Sequence, residues 1–194
     1  MELIYEQTTA PLIPPYTAAD IGKPQISEEM LPVVAASGLV IGRCARSYAH
    51  SGAKPLHPVV HLHIINRNGE IYLQKRAMSK KLLPGRWDTA VGGHVTYGET
   101  LSEALFREAE EELALYDFNP IYLDSYVFES DIEKELVNIW AAVGNFTICP
   151  PNDEVEEGRW WSPEELRAAA GKDILTPQFE SEYARFGNAL YALL

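Results

Sequence analysis

GHVTYGETLSEALFREAEEELAL, residues 93–115, is the stretch on which the reading of this chain turns. Gly92, Gly93 and Gly98 bracket a short loop, and glycine lets a backbone turn sharply or approach a ligand closely. Thr100-Leu101-Ser102-Glu103 has the form of a capping box, in which Thr100 accepts from the Glu103 amide while the Glu103 side chain reaches back. A helix is therefore expected from about Leu101. At about 100° per residue it places Leu101, Leu105, Phe106, Ala109 and Leu113 on one apolar arc. Glu112, Glu108 and Glu111 fan out from one edge of that arc, and Glu110 lies beyond the other. Like charges at these spacings repel, so a positive group is expected among them.

An EAEEE run can be nothing more than a solvated face. Here Glu112 and Glu108 adjoin the buried arc and Glu111 continues the same edge, so three carboxylates can share one hard divalent cation, Mg²⁺ or Mn²⁺. Gly93, Glu99, Arg107-Glu108, Glu111-Glu112 and Leu115 resemble the Nudix box, GxxxxxE, seven residues, then REUxEExGU. The departure is Ala114 where the family has Gly, which is costly if that helix end needs positive φ.

The resemblance implies an α+β fold of the α/β/α sandwich type, a mixed β-sheet with helices on both faces. It also implies hydrolysis of a nucleoside diphosphate linked to a further moiety X, or of a similar small organic pyrophosphate. Glu108, Glu111 and Glu112 would bind metal, one of them doubling as base. Arg107 would anchor Glu99, and Gly93 would offer its carbonyl. Such enzymes often draw a further carboxylate from a later loop, for which Glu154, Glu156 and Glu157 are candidates, with Glu154 counted in the catalytic set.

The other 171 positions read as scaffold and substrate wall: 194 residues, 46% hydrophobic and 23% charged, describe a chain able to bury a core unaided. A net charge of −12 opposes the counterion release by which proteins bind duplex nucleic acid. Cys44 and Cys149 form no ligand spacing and no disulfide framework. No targeting signal or membrane span is read, so the expectation is a cytoplasmic enzyme with a small-molecule pyrophosphate partner, a homodimer being left open.

Residues 1–28, with Pro11, Pro14, Pro15 and Pro24, are expected as an extended arm pinned by Tyr5 and Tyr16, and 29–194 as a single catalytic domain. Strands are expected over 33–36 and 39–46 around Ser37-Gly38, over 58–66 and 71–75 around Asn68-Gly69, and over 121–129, 136–143 and 155–161. Residues 88–91 should lead into the glycine loop. Lys80, Lys81 and Arg86 make residues 77–87 either an exposed basic loop or a phosphate-facing lid. Ser162-Pro163 and Thr176-Pro177 open two helices, and Phe179, Tyr183, Phe186 and Leu190 in the second recur as a core stripe.

A narrower likeness runs through His50, His57, KRAMSKKLLPGRW, His94, Glu133 and Glu135. This pattern is similar to isopentenyl diphosphate isomerase, itself a Nudix-fold enzyme, in which corresponding residues hold a metal. A second divalent ion on those five residues is therefore expected, against the alternative of histidines that merely hydrogen-bond. The isomerase family has a catalytic Cys directly before Gly-His, where this chain has Gly92. Three readings stand: a metal-dependent pyrophosphohydrolase, an isomerase-like enzyme, and a module that binds a nucleotide without cleaving it.

Overall fold

The computed structural model describes residues 28–80, 82–148 and 155–194. The expected arm, except Glu28, together with Lys81, Cys149 and Glu154, lies outside the described residues. The described residues divide into two compact units, one holding 28–58 with Thr96–Gly98 and Val127–Leu136, the other holding Val59–Val95, Glu99–Tyr126 and the described part of Val137–Leu194.

In the first unit β1 (Met30–Val34) pairs antiparallel with β2 (Val40–Ala45). The expected first strand thus begins earlier, at Met30, and ends earlier, at Val34. Pro32, which would break a central strand, sits opposite Arg43 in a two-stranded ribbon, where the missing N–H can face outward. Gly38 turns the hairpin with φ of 81°. Leu31, Cys44 and Ala49 form a small core with Val33 against it. Burial pushes the Cys44 thiol up, in keeping with a cysteine packed into this core. After β2 come a helical turn, Arg46–Tyr48, and a wider turn, Ala49–Ala53.

The second unit is built on a sheet of order β5-β4-β3-β8-β7, with β6 also on β3 and β9 also on β4. The strands of this sheet are β3 (Leu56–Ile65), β4 (Ile71–Arg76), β5 (Trp87–Asp88), β6 (Val91–His94), β7 (Ile121–Glu129), β8 (Lys134–Val143) and β9 (Val155–Trp161), of which the first residues of β3, the last of β7 and the first of β8 fall in the first unit. Side chains alternate across a strand, and β3 uses both faces. Val60, Leu62 and Ile64 join one core with Ala104, Leu105, Ala109 and Leu113 of α1 (Leu101–Leu113). Ile65, with Ile71 and Leu73 of β4, joins another with Leu166 of α2 (Pro163–Ala169) and Phe179 and Leu190 of α3 (Pro177–Tyr191). Helices therefore cover both faces, and the fold is the expected α/β/α sandwich. No helix among the described residues is long and apolar enough to cross a membrane.

The helix starts follow their sequence signals. Thr100 and Glu103 close a capping box, as do Ser162 and Glu165, and Thr176 accepts from the Phe179 amide ahead of Pro177. Two local expectations are corrected. Gly92 and Gly93 lie within β6, opposite His61 and Val60 of β3, and the loop begins only after His94; their bareness serves close approach inside a sheet. Phe106 is exposed and tilts against Phe118 at 4.7 Å, because Ala104, which lies one turn before Glu108, takes the buried place on α1.

Ala114 ends α1 in the left-handed conformation, φ 50° and ψ 36°, while the Leu115 amide reaches back to the Ala109 carbonyl at 3.1 Å. A Cβ there costs about 1 kcal/mol that glycine does not. Ala114→Gly should raise the unfolding free energy by about 1 kcal/mol; a urea midpoint at or below the parent's would show that the helix end relaxes away from this geometry.

Candidate functional site

The carboxylates of α1 are organised by one guanidinium. Arg107 Nε and Nη2 donate to the two oxygens of Glu99 at 2.7 and 2.9 Å. Nη1 donates to Glu108 at 2.8 Å and Glu111 at 3.2 Å, and Nη2 also to the His94 carbonyl at 2.9 Å. The positive group demanded by the clustered glutamates is thus within the helix itself. Glu99, then burial and Glu108, act on Arg107, and the net effect raises its pKa above the ordinary arginine value. The fork geometry of arginine is what permits one side chain to serve so many acceptors.

Glu112 is held differently. Its Oε2 accepts from Gln74 Nε2 of β4 at 3.0 Å and from the Gly92 amide of β6 at 3.2 Å. Neutral donors fix its orientation and leave its charge in place. Glu108 lies across Gly93, where a Cβ would occupy the space of its carboxyl. Position 93 therefore has to be glycine for Glu108 to reach this place. Glu111 is the outermost of the three, with 56% of its side chain accessible, and Glu110 is exposed.

Three carboxylates of graded exposure around a bare backbone form an oxygen-only donor set, which fits Mg²⁺ or Mn²⁺ in preference to zinc or copper. Glu156 and Glu157 are exposed on β9, where Lys75 approaches them at 3.4 and 4.0 Å. Arg86 of the basic loop is engaged by Asp173 at 2.8 Å, so it ties the loop down, which counts against its serving as a phosphate-facing lid.

Of the residues expected at a second ion, His50, His57, Glu133 and Glu135 belong to the first unit. His50 Nδ1 meets Glu133 Oε2 at 2.5 Å, and the His50 and His57 rings stand edge to face at 5.6 Å. His57 Nδ1 donates to the Pro55 carbonyl at 2.9 Å, which puts the lone pair on Nε2. Burial lowers the His57 pKa, which favours the neutral ring, the state in which imidazole binds metals. Glu135 is buried near the start of β8. His94 belongs to the second unit, at the end of β6.

One polar cluster was not anticipated. Glu182 of α3 is fully buried, and it accepts from His61 Nδ1 at 2.8 Å, His63 Nε2 at 2.9 Å and the Tyr126 hydroxyl at 2.7 Å. A signal for it exists: Glu182 falls between Phe179 and Phe186 at helical spacing, on the stripe read as core, and His61 and His63 share one strand face. Burial by itself would push the Glu182 carboxyl up, but His61 and His63 outweigh it and hold it below the usual carboxylate range.

A family model described as NUDIX domain matches residues 55–179. Isopentenyl-diphosphate Delta-isomerase of Leifsonia xyli subsp. xyli is 30% identical over 177 residues, 82% of this chain and 94% of that relative. Among solved structures, DR0079 from Deinococcus radiodurans is 27% identical, with a TM-score of 0.68 over 81% of this chain and 98% of that one. The MutT protein from Methanosarcina mazei Go1 is 26% identical, with a TM-score of 0.60 over 70% of this chain and 96% of its own.

Arg107→Ala strands Glu99 and Glu108, both largely shielded from water, and should cost about 2 kcal/mol in denaturant unfolding; an unchanged midpoint would show that the fork holds nothing together. Glu182 titrates with the opposite sense to a raised histidine. Its folded pKa lies below its unfolded one, so its stabilisation is present above the ordinary carboxylate range and is lost as pH falls through the folded value. Glu182→Gln should be about 3 kcal/mol less stable near neutrality and should lose less on acidification than the parent, as read from urea midpoints across pH 7 to about 3.

Proposed function

Because this chain belongs to the Nudix family, we propose that it is a divalent-metal-dependent pyrophosphohydrolase, cleaving a phosphoanhydride bond in a nucleoside diphosphate linked to X or a similar small organic pyrophosphate. The family match and the relatives named isopentenyl-diphosphate Delta-isomerase support a Nudix-fold enzyme acting on a diphosphate compound. The observation that carries hydrolysis is the intact carboxylate set around Gly93, with Arg107 on Glu99, Glu108 and Glu111 and with Glu112 fixed by Gln74 and Gly92.

Mg²⁺ or Mn²⁺ on Glu108, Glu111, Glu112 and the Gly93 carbonyl would supply Lewis acidity at the phosphate oxygens and lower the pKa of a bound water. The residues of the chain do the rest. Arg107 keeps three carboxylates from splaying apart before substrate arrives, so their mutual repulsion is already offset. Gln74 and the Gly92 amide hold Glu112 at a set angle. In the hydrolysis a water oxygen bonds to phosphorus, the bridging P–O bond breaks toward the leaving phosphate, and a carboxylate of this cluster takes the proton of the water. A second ion on His50, His57 and Glu133, whose nitrogens suit Mn²⁺, Zn²⁺ or Fe²⁺ better than Mg²⁺, belongs to the same proposal.

A second reading is isomerisation of a prenyl diphosphate, favoured by the relatives named isopentenyl-diphosphate Delta-isomerase and by the His50 and Glu133 pair. Moving a double bond needs an acid and a base on opposite faces of the alkene, and Gly92 has no side chain to act as either. No isopentenyl to dimethylallyl exchange is expected; deuterium uptake from heavy water into the prenyl diphosphate would establish the isomerase and reject the hydrolase.

Turnover should be measured on dinucleotides, nucleoside triphosphates, ADP-ribose, nucleotide sugars and prenyl diphosphates with Mg²⁺ and Mn²⁺. On whichever is cleaved, Glu111→Gln and Glu112→Gln should each lower kcat by about 100-fold or more, while remaining folded. Near-parental turnover in either would reduce the cluster to a solvated face.

A further inference from the structure

The stretch from His94 to Glu99, between β6 and α1, is held in two ways. Its ends belong to the second unit, where the His94 carbonyl and the Glu99 carboxylate both accept from Arg107. Its middle, Thr96–Gly98, falls in the first unit, although Val95 and Glu99 on either side do not. The contacts there are specific. The Tyr97 amide donates to the Met30 carbonyl of β1 at 2.7 Å, and Thr96 Oγ1 donates to Glu29 Oε1 at 3.1 Å. The other oxygen of Glu29 accepts from Arg46 Nη1 at 2.7 Å. The Arg43 guanidinium of β2 lies 5.3 Å from the centre of the Tyr97 ring, a cation–π approach. Gly98, with φ of 103°, then returns the chain to Glu99.

Connecting β6 to α1 asks only for a short loop; the clamp on its middle has its effect at Arg107. An arginine has five N–H groups, and Arg107 uses each of them once. Three go to the ends of the loop, from Nε and Nη2 to the two oxygens of Glu99 and from Nη2 to the His94 carbonyl. The two of Nη1 go singly to Glu108 and Glu111.

A guanidinium pairs most strongly with a carboxylate through two parallel bonds. Were the loop ends to draw back, the three released donors would turn to the carboxylates already within reach, those of Glu108 and Glu111. Arg107 would then neutralise the charge that a divalent ion needs. With its ends in place the loop keeps the fork occupied, so that each of these two glutamates receives a single N–H of Arg107.

We propose that Glu29 and Thr96 are positioning residues of the carboxylate site: by fixing the middle of the loop they hold the His94 carbonyl and Glu99 at Arg107, and so keep that arginine from competing with a divalent cation for Glu108 and Glu111. The inference rests on the reading of this cluster as the cation site of a hydrolase and adds what tunes its affinity. Neither residue touches the ion or the substrate; both act along the chain, through Tyr97 and Gly98 to Glu99.

The test uses the full chain and Mn²⁺ alone, its binding followed by the EPR signal of the free ion, with Glu111→Gln marking which bound ion belongs to α1. Thr96→Val, which keeps the shape and removes only the hydroxyl, and Glu29→Ala should each raise the Kd of that ion about tenfold, the usual effect of losing a group that orients a metal ligand. Thr96→Ser should recover most of the loss. In ¹⁵N-arginine spectra the Arg107 Nε–H should shift in both variants and return in Thr96→Ser. On whichever pyrophosphate the parent cleaves, the Mg²⁺ needed for half-maximal rate should rise by the same factor, with a smaller effect on kcat at saturating Mg²⁺.

A Kd equal to the parent's in either folded variant overturns the inference whatever its urea midpoint, since a clamp that only stabilises would lower the midpoint and leave the ion untouched; turnover by the parent then leaves the hydrolase reading standing. A raised Kd with no turnover by the parent on any pyrophosphate does the reverse, because the positioning role then exists without hydrolysis. Failure of the parent to bind Mn²⁺ at a Glu111-dependent position overturns the inference. If both variants unfold, Gly98→Ala decides: its methyl meets nothing within 4 Å and strains only the turn at φ 103°, so it should weaken the ion in the same sense, and a parental Kd in it overturns the inference.

Discussion

The site depends on Arg107. Glu99 follows the glycine loop, Glu108 and Glu111 stand on α1, and the His94 carbonyl closes β6, yet one planar fork bonds to all four. Without it Glu99, Glu108 and Glu111 would be left to repel one another at the head and along one edge of the helix. Glu112 stands outside this arrangement and takes its donors from β4 and β6. The cluster is therefore anchored from two directions, by a cation along the helix and by neutral groups across the sheet. That division preserves net negative charge for a cation while suppressing the motion that unpaired carboxylates would show.

Much of this was legible because it is local. Capping boxes, proline at a first helical position and the spacing of glutamates along α1 are short-range facts, and short-range geometry realises them at Thr100, Ser162 and Thr176. What escaped was long-range. Gly92 and Gly93 read as a loop because glycine pairs usually are one, and only the approach of Glu108 to β6 explains why they interrupt a strand without ending it. Arg86 read as part of an exposed basic loop or a phosphate-facing lid, and its tie to Asp173 is a contact across the chain. The quartet around Glu182 unites positions more than a hundred residues apart; a charge on an apolar stripe and two histidines on one strand face were its visible traces, and a stripe is easily read past its exception.

The sheet also keeps two kinds of chemistry apart. Odd and even positions of β3 face different helices, so Val60, Leu62 and Ile64 support the helix that carries the carboxylates, while His61 and His63 address α3. Neither set has to be compromised for the other. A strand buried on both faces can thus serve as floor for a carboxylate-bearing helix and as mount for an imidazole.

Gly92 and Gly93 inherit that separation. As neighbours in one strand they are bare toward opposite sides of the sheet, and the two vacancies are unequal. At 93 any side chain would overlap the Glu108 carboxyl, whereas at 92 an added methyl would meet the edge of His61 at 3.4 Å and the Thr89 methyl at 3.7 Å. One position is closed to change and the other is open to it. A lineage could therefore exchange the group presented at 92 while inheriting the carboxylate-bearing face intact. Hydrolases and isomerases sharing one scaffold are what such a pair of adjacent residues would be expected to leave behind.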